Sequence, residues 1–198
     1  MQYKKYLKEA RRYLYGLKKY ILFSSYIFII SVFGGYIFAQ NHPSETQMLI
    51  EEMRSMFLFE EEVTSLQIFF FIFENNVSKL FIILPLGIFA GLIPLLSVFA
   101  NGLILGVFAQ VVSEEISWTF FFLGIMPHGI IELPVLVVSS AIGIRIGKVA
   151  IYRLFSKKES LVSELSKALK FFILILVPLL FIAALIEAFV TTLLLEMV

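Results

Sequence analysis

The chain has 198 residues, 60% of them hydrophobic and only 16% charged. A soluble domain is about 45–50% apolar and about 25% charged, and one small core could not bury the excess. This composition excludes an ordinary soluble enzyme, and the absence of cysteine excludes a disulfide framework or thiolate metal site. The near-neutral net charge of +1 conceals a strong segregation. Residues 1–19 carry seven Lys/Arg and residues 145–170 seven more, whereas 40–62 carry six Glu and one Arg.

Residues 1–19 predict an amphipathic helix at the cytoplasmic membrane surface. Tyr6, Ala10, Tyr13, Leu14 and Leu17 fall on one face and the basic residues on the other. Residues 20–39 are apolar enough, and long enough, for a first span. The segment Ile37-Phe38-Ala39 lacks the small residue that signal cleavage requires, so this span is expected to be retained.

Residues 40–79 are expected outside the membrane, as acidic and interfacial helices. Ser44 and Gln47 suggest a capping box at the first, and Thr64 and Gln67 begin a second apolar stretch. Leu49, Met53, Met56 and Phe57 form a stripe opposite Glu51, Glu52 and Glu60, which suits an interfacial helix better than a soft-metal site. Spans are then expected at 80–97 and 98–112, joined tightly around Gly91–Pro94 without a charged loop. Residues 117–144 cross back, and the spacing predicts a helix break at Pro127-His128-Gly129. Residues 145–170 form a basic cytoplasmic loop with a short amphipathic helix, and 171–195 the last span.

The positive-inside rule agrees with this layout. Four crossings separate the two basic regions and return the chain to one side. The expected topology is a single transmembrane domain over 1–198 in the cell membrane, with the N-terminus cytoplasmic and the C-terminus outside.

The sharpest feature is Pro127-His128-Gly129-Ile130-Ile131-Glu132-Leu133-Pro134. Ionisable groups inside a span are expensive and usually functional. His128 and Glu132 share a helix face at a spacing of four. Three readings follow: polar bracing of a broken helix, a proton or cation pathway, or a divalent metal held by His128 and Glu132. Asn76, Asn101 and Glu187 are candidate supporting groups. No other cofactor is expected.

Three Gly-xxx-Gly pairs, Gly87/Gly91, Gly102/Gly106 and Gly143/Gly147, predict close helix contacts and, in one reading, a homodimer or other small oligomer. Residues 91–95 also echo 129–133, which hints at an inverted repeat. There is no phosphate loop, no Ser/His/acid arrangement and no zinc-protease helix, so no enzymatic activity is expected.

Phe73-Glu74-Asn75-Asn76, Asn101-Gly102-Leu103-Ile104-Leu105-Gly106 and the Pro127–Pro134 block, in this order, resemble the stage II sporulation protein M family. The resemblance covers roughly residues 20–196. It implies a multi-pass membrane protein, often of five spans, whose named member is a scaffold for peptidoglycan-degrading proteins. It also implies that His128, Gly129 and Glu132 form the functional core. The combined expectation is a compact all-α bundle of about five transmembrane helices with a broken fourth span. Its function is a non-enzymatic scaffold or assembly factor or, alternatively, a small cation or proton transporter or channel. The partners expected are the lipid bilayer and cell-envelope proteins, with no nucleic acid.

Overall fold

The computed structural model describes residues 2–56, 64–155 and 160–196. The side chains of Met53 and Met56, and residues Phe57, Glu60, Lys157 and Lys158, lie outside the described set. The described residues form helices α1 (Gln2–Gly16), α2 (Lys18–Asn41), α3 (Pro43–Met56), α4 (Ser65–Ile83), α5 (Leu92–Glu115), α6 (Trp118–Phe155), α7 (Leu161–Phe171), α8 (Val177–Leu185) and α9 (Thr192–Glu196). A 3-10 turn, Pro85–Ile88, extends α4, and two π-helical segments, Phe172–Leu176 and Ile186–Thr191, join α7, α8 and α9. Five stretches are long and apolar enough to cross a membrane: Lys18–Asn41, Ser65–Ile88, Leu92–Glu115, Trp118–Phe155 and Leu161–Leu195. The chain is an all-α membrane bundle.

The span count agrees with the sequence, but two boundaries move. The second span begins at Ser65 rather than at 80, and the third begins at Leu92 rather than at 98. Thr64 and Gln67 form a complete capping box that starts α4. From there the helix runs straight through Glu74, Asn75 and Asn76, because their side chains do not interrupt its backbone bonding. The real turn is at Ala90 and Gly91, whose φ angles of 56° and 75° are left-handed. Ser44 is not a cap: the Thr46 amide donates to the His42 carbonyl, so Ser44 already lies within α3.

The fourth span is not broken. Helix α6 is continuous over 38 residues, with Pro127 and Pro134 inside it. A proline removes one backbone bond. Unwinding would expose several amides and carbonyls to lipid, at several kcal/mol each. The irregular backbone lies instead in the last span. Pro178 follows the first π segment, where a widened turn accommodates its missing amide.

Helix α6 is the centre of the bundle and packs against α2, α5, α7 and α8. Val135, Leu136, Ile142 and Ile146 meet Leu80, Leu84, Phe172, Leu176 and Leu180 in the main core. Most of α2 faces outward, with Leu22, Phe23, Ile29, Ile30 and Phe33 exposed as lipid-facing residues. At about 1.5 Å per residue α6 spans about 57 Å, nearly twice a hydrocarbon core of about 30 Å. Its C-terminal part therefore leaves the membrane at the basic end of the bundle.

All three glycine pairs are used within the chain. A Cβ on Gly102 would strike Ser31 Oγ and the Phe28 carbonyl, and one on Gly106 would strike the Val32 carbonyl. Gly87 faces Gly143, and Gly147 faces Gly91. With these stripes occupied internally, they supply no ground for a homodimer. The suggested repeat also dissolves, because Gly91 is a left-handed turn while Gly129 lies inside α6.

At the basic end the buried Glu164 of α7 ties three helices. It pairs with Arg145 of α6 at 2.7 Å and accepts a hydrogen bond from Tyr13 of α1 at 3.1 Å. Burial, and then the Glu164 charge, push the Tyr13 phenol well above its usual range.

Two outcomes follow. Replacing Gly102 or Gly106 by Leu should destabilise the α2–α5 contact by about 1–3 kcal/mol or more, seen as a lower melting temperature in detergent; unchanged melting would contradict the packing. The fold also holds the proton on Tyr13. Its stabilisation is therefore full below the free phenol value of about 10 and declines as pH rises above it. Tyr13→Phe should remove that alkaline decline, and an identical decline in the variant would contradict the assignment.

Candidate functional site: a polar cavity at mid-membrane

A cavity of about 380 Å³ lies among α4, α5, α6 and the last span. Asn76, Asn101, His128, Glu132 and Glu187 all line it, together with Lys79 and Ser97. The structure thus brings the five polar positions singled out in the sequence into one place. Gly129 is buried off the cavity, with Ile125 and Leu133 of its own helix as neighbours.

The depth follows from helix geometry. Lys79 and Asn101 each lie about 14 Å from the α4–α5 turn, and His128 and Glu132 lie about 15 and 21 Å from Trp118 at the other end of the bundle. All four therefore fall near the middle of a hydrocarbon layer of about 30 Å. The walls are otherwise apolar, with Ile104, Leu105, Phe108 and Leu136 among them.

His128, Glu132 and Glu187 each offer one ligand atom, and these atoms lie within 4.8 Å of one another. Glu132 is on α6 one turn beyond His128, while Glu187 comes from the second π segment. The wider π turn sets Glu187 and Thr191 beside His128. His128 Nδ1 is 3.3 Å from Thr191 Oγ1, which itself donates to the Ile186 carbonyl at 3.4 Å. With the Thr191 hydroxyl donating to Ile186, the partner that completes the pair is Nδ1–H of His128 donating to Thr191 Oγ1. His128 Nε2 lies 4.0 Å from Glu187 Oε2. Asn76 and Lys79 are the polar neighbours that act on the Glu132 carboxylate. Asn101 donates to the Ser97 carbonyl at 2.8 Å.

One imidazole and two carboxylates form a cluster facing one ammonium. With both carboxylates ionised and the imidazole neutral, the group would hold one negative charge in excess, in a medium where uncompensated charge is expensive. A single proton or a cation restores neutrality. The residues also fit a divalent metal in donor type, since imidazole nitrogen and carboxylate oxygen are ordinary ligands for such ions. Because α6 is continuous, Glu132 sits in mid-helix, so no helix N-terminus stabilises its charge. Lys79 and Thr191 escaped the sequence reading. Lys79 was placed at the margin of a span rather than inside one, and Thr191 becomes relevant only through the π turn.

Fold and site together define a multi-pass α-helical membrane protein with an ionisable cluster at mid-membrane. The family described as Stage II sporulation protein M matches residues 24–192. The chain belongs to this family. Comparison with curated proteins and with solved structures gave no match.

The tautomer is directly testable. Only His42 and His128 contribute imidazole signals. Long-range nitrogen–proton NMR spectra should show His128 protonated at Nδ1, with Thr191→Val erasing that preference. Protonation at Nε2 in the parent protein would refute the orientation.

Proposed function

We propose that this protein binds and passes a proton or small cation at the His128/Glu132/Glu187 cluster. A scaffold or assembly role is the alternative, and what supports it is the role of the family's named member. The cavity favours the ion-handling reading. Groups that only brace a fold are satisfied by neighbouring backbone and need no space around them. Here about 380 Å³ of space reaches His128, Glu132 and Glu187. Ionisable residues inside membranes that face a cavity commonly serve ion or proton pathways. The reading is non-enzymatic. Thr191 Oγ1 is the hydroxyl beside His128, and the Ile186 carbonyl, 3.4 Å away, competes for its proton. That geometry disfavours activation of Thr191 as a nucleophile.

The proposed orientation places the N-terminus in the cytoplasm and the C-terminus outside, in the cell membrane. It is supported by the basic residues clustered at 1–19 and 145–170. In the cysteine-free parent, Ile50→Cys and Glu114→Cys should react with an impermeant thiol reagent from outside, and Lys157→Cys should not. Outside labelling at 157 would reverse the orientation.

Transport is tested in proteoliposomes carrying a pH-sensitive dye, with proton and alkali-cation gradients imposed in turn. The parent protein should dissipate one of them, and Glu132→Gln or Glu187→Gln should slow that flux about tenfold or more, as expected for loss of an essential proton-transfer or ligand group. Flux equal to that of empty vesicles under every gradient would leave the scaffold reading standing.

A further inference from the structure

A second cavity, also of about 380 Å³, lies at the basic end between α1, α7 and the emerging part of α6. Four cations line it: Arg12, Arg145, Lys167 and Lys170. Two of them are already paired. Arg145 is held by Glu164 and lies over the Tyr13 ring at 5.3 Å. Lys170 meets Glu9 at 3.3 Å and lies over the Tyr6 ring at 5.0 Å. Arg12 and Lys167 have no carboxylate partner among the described residues, so they leave two positive charges in excess. The remaining wall is apolar or aromatic, from Ala10, Tyr13 and Phe171, and Gly16 leaves room where a side chain would meet the Arg145 guanidinium.

The location narrows the occupant. Helix α1 leads into the first span and α7 into the last, so the cavity sits where lipid headgroups meet water. A site with cations at its rim and an apolar floor suits an anion carried on an apolar body. Basic pockets at this level, between membrane helices, are suited to phosphate headgroups. We propose that this cavity is a specific site for one anionic phospholipid, whose headgroup phosphate is held by Arg12 and Lys167 while its glycerol and upper acyl segment lie against Ala10, Tyr13 and Phe171. The fixed pairs of Arg145 and Lys170 keep the walls in place before the lipid arrives. The site is independent of the mid-membrane cluster.

The test uses the full chain in detergent and a fluorescent phosphatidylglycerol, with binding followed by anisotropy. Saturable binding of one lipid per chain is expected, displaced by unlabelled phosphatidylglycerol and not by phosphatidylcholine or inorganic phosphate. Arg12→Gln combined with Lys167→Gln should weaken binding about thirtyfold, at about 1 kcal/mol per cation near a membrane surface. Arg12→Lys with Lys167→Arg should retain it. Lys18→Gln with Lys19→Gln removes the same charge from exposed positions outside the cavity and should change little. If the glutamine pair fails to fold, Lys167→Gln alone should weaken binding about fivefold. Equal weakening by the Lys18/Lys19 pair would show general surface attraction only, and displacement by inorganic phosphate would show a free-anion site. Displacement by phosphatidylcholine would show no headgroup selectivity. Any of these three results overturns the proposal.

Discussion

Within a bilayer every amide and carbonyl must find its partner inside the protein, and that constraint organises this molecule. It keeps α6 helical through Pro127 and Pro134, where a water-exposed segment with Pro and Gly in the same places could unwind. It also directs irregularity into forms that retain backbone bonding, namely the 3-10 turn after α4 and the two π segments of the last span. A π turn inserts a residue without opening the helix. The second of these segments presents Glu187 and Thr191 to His128, so the backbone irregularity and the polar cluster coincide.

Small residues set how closely the helices approach, and the approach in turn shapes the cavity. Gly102 and Gly106 let α5 sit tightly on α2, while Gly87, Gly91, Gly143 and Gly147 draw the α4–α5 turn against α6. The Ser140 hydroxyl donates to the Pro94 carbonyl at the same junction. Helices α4 and α5 are thereby fixed to α6 near the turn. Farther along, the polar cavity lies between them and His128 and Glu132. Tight packing at one end and open space at mid-membrane are two outcomes of one arrangement.

Much of this was legible in the sequence. Apolar run length and segregated charge yielded five spans, the rarity of intramembrane polar residues marked Asn101, His128, Glu132 and Glu187, and the family resemblance added Asn76; all five share one cavity. What was misread concerns the backbone. Pro127 and Gly129 suggest a break within the span, with its freed backbone groups satisfied by protein, water or an ion, whereas α6 keeps its helical bonding through both. Three polar residues in a row, Glu74, Asn75 and Asn76, suggest the end of the apolar stretch begun at Thr64, which displaces the expected start of the second span. The π turns carry no local signature beyond Pro178, so the meeting of Glu187 with His128 required three dimensions. The glycine pairs marked close contacts correctly but did not say that both faces belong to one chain.

The central claim is that the cavity around His128, Glu132 and Glu187 is wet at mid-membrane. Single cysteines at Asn101, on the cavity wall, and at Phe99, an exposed apolar position on the same helix outside the cavity lining, separate the cases within one helix. In membranes, a small charged methanethiosulfonate reagent should modify Asn101→Cys and leave Phe99→Cys unreacted. An inert cysteine at 101, in a protein that a membrane-permeant maleimide still labels there, would mean a dry cavity and would contradict the account.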